Sequence, residues 1–374
     1  MLRYGKSRFH LADCLSLVTL WLLLATVLSN ISVAQGVADP NRTLTTAHEA
    51  HSLSASESRK AFPVRLKGVI TYYDPYIDPR HAIFFFHDST GSIFVALKSP
   101  ITQPVHAGTL VEVSGVSGPG DFAPIVERAD VKILGESQIP KPGPLFGLSH
   151  LLTGAEDGQW IQIEGVVQTV WKFNHNVYLD VSTNEGVIVA FSITEPGVSY
   201  ESLVDAKVRI RGNDSPLFNR LRQRTGTRVV FSSIDMVLVE QAAPTHPFDQ
   251  PIQDIGNLLR FEPNIAFRHR AHIRGRVTNY WPGRTICIQD ATDGLCAETV
   301  GTKPIRTGEV ADVVGFPVAG DFKPTLTNSI FRSTGQTVQE TASLVTAEEA
   351  IKGDRESRLI QIEGTLIGRD CTAS

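Results

Sequence analysis

The sequence predicts an all-β protein that is built from tandem copies of one small module, with short helices between the strands. Two observations lead to this expectation. Four segments repeat the same alternation of apolar and polar residues around a central glycine, at Gly68, Gly165, Gly275 and Gly364. These glycines are 97, 110 and 89 residues apart, which is the spacing of whole domains rather than of solenoid repeats.

Each repeat begins with a long strand whose apolar residues face one side. In the first repeat, Val64 and Leu66 alternate with Arg65 and Lys67 in this way. The central glycine predicts a sharp bend or a bulge, which a small closed barrel needs. The four segments are FPVRLKGVITYYDPY (62–76), QWIQIEGVVQTVWKF (159–173), HRAHIRGRVTNYWPG (269–283) and RLIQIEGTLIGRD (358–370).

Four more strands follow in each of the first three repeats. The second and third form a hairpin whose turn is rich in Asp, Ser, Thr, Asn and Gly, and a short helix or loop precedes the fourth. Five strands joined in this way follow the plan of the OB-fold, a partly open Greek-key barrel. We therefore expect OB-like barrels at 43–138, 145–241 and 252–336, and an incomplete fourth module at 344–374. Because that module stops in its first or second strand, we expect a fragment, a truncated gene product or a disordered tail.

Length and composition agree with a multidomain globular protein. A chain of 374 residues is long enough for two to four domains, and 42% hydrophobic with 20% charged residues is ordinary for a folded protein. Helix-like segments at 45–60 and 346–358 and proline-rich joints at 139–147 and 243–251 are expected to connect the modules. The net charge of -4 argues against a general nucleic-acid binder, which must neutralise phosphates.

The first 34 residues predict a signal peptide or a membrane anchor. A basic start, MLRYGKSRFH, precedes the uncharged apolar run LSLVTLWLLLATVL, and small residues at Ser32 and Ala34 provide a cleavage site. The apolar run approaches the length that spans a bilayer, so an uncleaved anchor stays an alternative. We expect the rest of the chain in the periplasm or on the outer face of the inner membrane.

Aromatic residues follow the first strand of every complete module, where OB-folds bind ligands between this loop and the loop that joins strands four and five. The two interpretations are stacking on a ligand and packing between neighbouring modules. The candidates in the first loops are Tyr72, Tyr73, Tyr76, Trp171, Phe173, Tyr280 and Trp281.

The turn Gly-Asp-Phe-x-Pro occurs twice, at 120–124 and 320–324, between the predicted fourth and fifth strands of modules one and three. Glycine permits positive φ, Asp bonds the backbone and Pro starts an edge strand, so the turn has a structural explanation. Its place beside the aromatic loops keeps ligand binding open for Phe122 and Phe322.

Basic residues alternate along two strands, which places each set on one sheet face. They predict either a solvated outer face or a surface for an anionic ligand. The residues of this hypothesis are Lys207, Arg209, Arg211, Arg270 and Arg274.

Cys287 and Cys296 flank a hairpin turn at positions that align with Phe85 and Phe94 of the first module, so a disulfide is possible in an oxidising compartment. The sequence has no metal-ligand spacing, no nucleophile elbow and no phosphate-binding loop. We therefore expect no metal, no cofactor and no enzymatic activity.

Several long phrases make the chain resemble the extracytoplasmic sensory region of acidobacterial-type two-component sensor histidine kinases, over about 44–364. They include LTTAHEAHSLSASESRKAFPVRLKGVITYYDPY, VEVSGVSGPGDFAP, LLTGAEDGQWIQIEGVV, WPGRTICIQDATDGL and VVGFPVAGDFKPTL. A complete kinase would continue into a second transmembrane helix, a phospho-accepting histidine and an ATP-binding domain. Because this sequence contains none of them, no kinase activity is assigned to it.

The resulting expectation is an exported array of OB-like modules that senses or binds a ligand. One alternative is a stand-alone secreted protein that binds carbohydrate or another envelope polymer, and a third is an OB protein that binds extracellular nucleic acid. The expected partners are a small ligand or an envelope polymer, the membrane if the leader stays attached, and a second copy if the chain is part of a sensor kinase.

Overall fold

A computed structural model provides the structure, and the leader predicted at 1–34 lies outside its described residues. Two further predictions, the Gly-Asp-Phe part of the second turn at 320–322, which includes Phe322, and the tail after residue 368, also lie outside them. In the part that is described, no helix is long and apolar enough to cross a membrane. The described residues are 42–76, 82–220, 224–258, 269–319, 323–339, 342–353, 355–365 and 367–368.

The first module is a closed barrel of five strands, which we call barrel 1. Its strands are β1 (Pro63–Asp74), β2 (Ile83–Asp88), β3 (Gly91–Leu97), β4 (Thr109–Gly118) and β5 (Ile125–Glu136). Around the barrel the order is β1-β2-β3-β5-β4, and only β3 and β5 pair in parallel. Two short helices, α1 (Ala47–His51) and α2 (Ala55–Ser58), lead into it. This strand order is that of an OB-like barrel and confirms the predicted fold class.

Barrel 2 repeats the same order after helix α3 (Leu148–Leu151), but its fifth strand is broken in two. The strands are β6 (Trp160–Phe173), β7 (Asn176–Thr183), β8 (Gly186–Ile193), β9 (Lys207–Phe218), β10 (Arg224–Val230) and β11 (Val237–Gln241). A single strand was expected where β10 and β11 lie. A short helical turn separates them, and Glu195 holds it, because its carboxylate accepts from the Ile234 N–H at 2.6 Å and from the Tyr200 hydroxyl at 2.8 Å.

Barrel 3 has a short lead-in strand, β12 (Ile252–Gln253), before its five barrel strands. The barrel strands are β13 (Ala271–Trp281), β14 (Thr285–Gln289), β15 (Gly294–Thr299), β16 (Glu309–Ala319) and β17 (Pro324–Thr337). The pairing again closes a barrel in the order β13-β14-β15-β17-β16. After it come β18 (Ser343–Leu344), α4 (Ala347–Ile351) and β19 (Ile360–Gln361), in the region of the predicted fourth module.

The inward positions predicted for the first strands are confirmed by burial. Each barrel fills its own interior with aliphatic and aromatic side chains, and Val64, Leu66 and the residues at the equivalent positions of the other two barrels are at most 3% exposed. Those equivalent residues are Ile161, Ile163, Ala271 and Ile273.

Close packing against the second strand requires glycine at the centre of each first strand. A Cβ atom at Gly68 would overlap the backbone carbonyl oxygen of His87 in β2, and Gly165 and Gly275 face the equivalent carbonyls of their barrels. Only glycine permits this close approach. The predicted bulge exists in all three barrels, but the register shift lies three residues after the glycine, as at Thr71.

A parallel contact between the lead-in segment and the first strand recurs in all four modules. The paired residues are Leu44 with Val64, Leu145 with Gln162, Ile252 with His272, and Ser343 with Ile360. In barrels 1 and 3 the hairpin aspartates, Asp88 and Asp290, hold the lead-in as well. Each accepts an N–H of the lead-in helical turn at 2.8 Å, from Ala47 and Ile255 respectively.

Candidate functional site

A cavity of about 350 Å³ lies where barrel 1 meets barrel 2, and we call it the junction cavity. Barrel 1 contributes the Gly-Asp-Phe-Ala-Pro turn at 120–124, between β4 and β5, together with the rings of Phe85 and Phe94. Barrel 2 contributes Asp157 from the segment before β6 and part of β9. His51, at the end of α1, completes the lining.

The first Gly-Asp-Phe-x-Pro turn forms one wall of this cavity and also contacts barrel 2. Phe122 is 46% exposed, and the edge of its ring lies over Gly154. A Cβ atom added at Gly154 would stand 2.9 Å from Cε1 of Phe122. The backbone N–H of Ala123 lies near the carboxylate of Asp157 and favours its ionised form. The turn therefore has a structural role at the junction and leaves part of the Phe122 ring accessible.

Two aspartates at the cavity, Asp157 and Asp214, lie near one arginine, Arg224. Asp214 is fully buried and accepts from the Arg224 guanidinium at 3.1 Å and from the Thr227 hydroxyl. Burial and, next, the charge of Asp214 raise the pKa of Asp157 to about 7, although Arg224 and the Ala123 N–H partly oppose the shift. Burial also raises the pKa of Asp214. The group carries excess negative charge when both aspartates are ionised.

Two polar contacts fix the barrels around the cavity. Nε2 of His51 donates to the backbone carbonyl of Asp157 at 2.9 Å. Burial lowers the pKa of His51, so this ring adds no positive charge to the cavity near neutral pH. The Gln159 carboxamide accepts from the Ser92 N–H and donates to the Ser92 carbonyl, which joins the segment before β6 to the β2–β3 hairpin.

A continuous series of aromatic rings crosses the same junction. Tyr72 is buried at 2% exposure, and its ring packs on Phe191 of barrel 2 with the centroids 6.3 Å apart. The series extends into barrel 2 through Tyr178 to Trp171, whose rings stack in parallel at 3.9 Å. On the barrel 1 side, Tyr72 contacts Phe85. Of the two interpretations of the first-loop aromatics, packing between modules describes Tyr72.

The other aromatic candidates of barrels 1 and 2 lie outside the cavity. The loop position predicted for the set is wrong for all of them except Tyr76, because the first strands extend through the other aromatic residues. The Tyr73 hydroxyl accepts from the Ile101 N–H at 3.2 Å, so this ring serves its own barrel. Tyr76 stacks on His175 of barrel 2 at 4.0 Å and is 53% exposed. Trp171 and Phe173 are 42% and 62% exposed at the end of β6. The structure therefore does not bring all these candidates together at one site.

In barrel 3 the candidate ligand-binding aromatics likewise have different surroundings. Tyr280 packs against Phe331 and donates to the carbonyls of Gly301 and Lys303, whereas Trp281 is 55% exposed. Phe322 lies outside the described residues. Cys287 and Cys296 face each other across β14 and β15 and are joined by a disulfide. Their register matches that of Phe85 and Phe94 in barrel 1.

The predicted basic strands are neutralised by carboxylates on neighbouring strands. Lys207 and Arg209 each pair with Glu164 and Glu240 at 2.6–3.2 Å. Each of these pairs involves partly buried side chains, so little positive charge is left for an anionic ligand.

The predicted basic residues of barrel 3 are engaged in a similar way. Arg274 pairs with the buried Asp312 at 2.7 Å. Arg270 lies over the Phe316 ring at 5.1 Å and donates to the Asn328 carbonyl. The fifth member of the hypothesis, Arg211, is half-buried and faces Gln162 of the neighbouring strand.

Some residues at the junction cavity were not predicted from the sequence. Asp157, and Gly154 beneath the Phe122 ring, lie in a segment that reads as an ordinary loop, and His51 lies in a short helix-like stretch. One signal was present: the phrase LLTGAEDGQW leads into the first strand of module two and places two acidic residues between two glycines within five residues. Among the described residues, no group of His, Cys, Asp and Glu could hold a metal ion.

Comparison with known proteins gives similarity only among solved structures. No family model matches the chain, and no curated protein matches it. A murine DNA-binding protein solved with double-stranded DNA is 13% identical, with 49% of this chain and 99% of that chain covered and a TM-score of 0.27. The Ifi202 HINa domain in complex with DNA is 10% identical, with coverages of 48% and 96% and a TM-score of 0.24. An OBody bound to hen egg-white lysozyme is 18% identical, with coverages of 28% and 99% and a TM-score of 0.20. At TM-scores below 0.5, none of these similarities bears on the function of this chain.

Proposed function

We propose that the chain is a ligand-binding array of OB-like modules and the extracytoplasmic sensory portion of a two-component signalling receptor. The junction cavity is the observation that carries this proposal. Its volume of about 350 Å³ lies within the range of roughly 300–1,000 Å³ for small-molecule sites. Aromatic rings with a few convergent polar groups line it, which is the usual composition of such a site.

The position of the cavity supports sensing. A ligand held there contacts the Phe122 turn of barrel 1 and the Asp157 segment of barrel 2 at the same time. A ligand shifts a conformational equilibrium by its difference in affinity between the two states. Binding between two barrels therefore biases their relative placement, and such a bias can pass along a tandem array.

Export is part of this proposal, and two features support it. The basic and apolar leader at 1–34 is typical of exported proteins, and the disulfide between Cys287 and Cys296 is a bond that persists in oxidising compartments. A C-terminal fusion to alkaline phosphatase, which becomes active only after export, tests it. Activity that disappears when residues 1–34 are deleted is expected, and equal activity with and without them would contradict export.

A second candidate function is binding of carbohydrate or another envelope polymer by a stand-alone secreted protein. The exposed rings of Trp171 and Phe173 favour it, because sugar rings stack on accessible aromatic faces. Trp171 is held flat against Tyr178 and donates from its indole N–H to Asp180 at 3.3 Å, so its outer face has a fixed orientation.

Nucleic-acid binding has the least support of the three functions. Lys207, Arg209 and Arg274 already pair with carboxylates, so they contribute little to the neutralisation of phosphates that such binding requires. Binding of a short oligonucleotide with a steep salt dependence would reverse this ranking.

Matched alanine variants separate the first two functions. Ligands are first found by thermal-shift screening of the full chain with small metabolites and with soluble glycans. Phe122→Ala should lower the affinity for a ligand of the junction cavity by about tenfold or more, the equivalent of ~1.4 kcal/mol. Phe173→Ala should leave that affinity unchanged. The reverse result, with loss only in Phe173→Ala, would favour the polymer-binding function.

A further inference from the structure

We infer that the junction cavity binds an organic cation, an amine or guanidinium group that is joined to an apolar or aromatic body. The inference rests on the proposed ligand-binding role of this cavity and adds the chemical class of its ligand. Charge, the aromatic lining and the ionisation of one carboxyl group support it in turn.

In the described lining of the cavity the charged side chains are all acidic, and it includes no lysine or arginine. Glu127 lies on the barrel 1 side and Asp157 on the barrel 2 side. Arg224 lies behind this lining, where it is committed to Asp214 and its side chain is only 8% exposed. A cationic ligand therefore meets the carboxylates of Glu127 and Asp157, whereas an anionic ligand would be repelled by them.

The aromatic lining is an independent indication of the same class. Phe85 and Phe94 pack edge to face with centroids 5.3 Å apart, and Phe122 presents a partly exposed ring from the opposite loop. Ring faces attract ammonium and guanidinium groups, and clusters of rings with carboxylates are a known way to bind organic cations. A bare metal ion would instead need about six oxygen ligands, a set that rings cannot supply.

The carboxyl group of Asp157 should bind a cation more tightly than an exposed carboxylate does. Burial and the charge of Asp214 make its ionised form costly, so the folded protein holds this group close to the boundary between its protonated and ionised forms near neutral pH. An incoming cation offsets that cost by pairing with the carboxylate. Ligand binding and proton release from Asp157 are therefore coupled.

Three probes that share a phenethyl group test the inference on the full chain. Phenethylamine, phenethyl alcohol and phenylpropionate carry a positive charge, no charge and a negative charge respectively at about pH 8, where the Asp157 carboxyl group is ionised. Calorimetric titration should show that the amine binds and that the alcohol binds about tenfold more weakly, a difference of ~1.4 kcal/mol. The carboxylate should bind more weakly than the alcohol.

Substitutions test whether the carboxylates of the cavity cause the preference for the amine. Asp157→Asn should reduce amine affinity to that of the alcohol, and Glu127→Gln, on the rim, should reduce it partly. Asp130→Asn is the control, because Asp130 lies in the same strand as Glu127, pairs with Lys98 and does not line the cavity. Equal amine affinity in wild type and Asp157→Asn would overturn the inference.

The outcomes also distinguish this inference from the proposed function. If the alcohol or the carboxylate binds as tightly as the amine and Phe122→Ala weakens that binding, the cavity is a ligand site but the cationic class is wrong. If a probe binds and Phe122→Ala has no effect on it, the cavity itself is not the site. Absence of any amine binding overturns the cation inference.

Discussion

The Gln159 carboxamide of barrel 2 holds both backbone groups of Ser92 in barrel 1, with distances of 3.1 Å to the N–H and 3.0 Å to the carbonyl oxygen. Ser92 is 1% exposed, so loss of this partner leaves a buried amide unsatisfied, at a cost of about 1–3 kcal/mol. Gln159→Ala should therefore accelerate hydrogen exchange at Ser92. Gln162→Ala removes a hydrogen bond to Gly143 within barrel 2 and serves as the control. Unchanged exchange at Ser92 would show that the contact does not hold the junction.

Substitution of Gly154 should displace the Phe122 ring. Alanine there would place Cβ 2.9 Å from Phe122 Cε1 and 3.0 Å from a guanidinium nitrogen of Arg224, at a φ of +85°. Gly335 has a φ of +78° with no atom within 4 Å, so Gly335→Ala carries the backbone strain alone. We expect Gly154→Ala to lower the free energy of unfolding by about 1–3 kcal/mol more than Gly335→Ala. Urea unfolding measures both, and adding Phe122→Ala should recover part of the difference.

The pH dependence of stability should carry the signature of Asp157. Its pKa is about 7 in the folded chain, well above its unfolded value, so the folded state keeps a proton that the unfolded state loses. Its contribution to stability is therefore full below about pH 4 and falls as the pH rises to about 7. Asp157→Asn should gain stability relative to wild type over this range, by at most ~4 kcal/mol and by less where solvent screens the charge. Parallel curves for both proteins would contradict the raised pKa.

Asp312 of barrel 3 should behave in the opposite way. Burial alone would raise its pKa, but hydrogen bonds from Arg274 and Arg332, with His272 nearby at 3.3 Å, outweigh burial and hold the pKa at about 2. Its stabilisation is present above the unfolded value near pH 4 and is lost as the pH falls through about 2. Asp312→Asn should lower the free energy of unfolding at neutral pH by roughly 2 kcal/mol and by much less near pH 2.

The exposed pair of Asp130 with Lys98 provides the comparison for Asp312. Because surface ion pairs contribute little, Asp130→Asn should change the free energy of unfolding by less than about 1 kcal/mol at either pH. A loss in Asp130→Asn as large as that in Asp312→Asn would show that burial is not what makes the Asp312 network important.

The fold was largely predictable, because the signals that specify it are local. Alternation around Gly68, Gly165 and Gly275 locates the first strands, and the order of the remaining strands follows from the hairpin turns. The break between β10 and β11 was not predicted, because the Glu195 side chain that holds it lies 39 residues before Ile234. Such a partner is visible only once the barrel is folded.

The candidate site was predictable only in part. The Gly-Asp-Phe-Ala-Pro turn was singled out and lines the cavity, but Tyr72, in the same set of candidates, is buried between the barrels. Both residues are aromatic and close to a loop, so their sequence context is similar. Their difference arises from the packing of barrel 1 on barrel 2. The altered ionisation of Asp157 has the same origin, since burial and the charge of Asp214 cause it.

The lead-in segments have a consequence for how such a chain can lengthen. A strand with unpaired backbone groups invites pairing with another molecule and hence aggregation. In barrel 1 the Leu44 N–H donates to the Pro63 carbonyl and the Arg65 N–H donates to the Leu44 carbonyl, both at 2.8 Å, and the other lead-ins pair in the same way. In each module the lead-in therefore covers backbone groups that would otherwise be unpaired. Gene duplication can then add modules without adding an exposed strand edge that promotes aggregation.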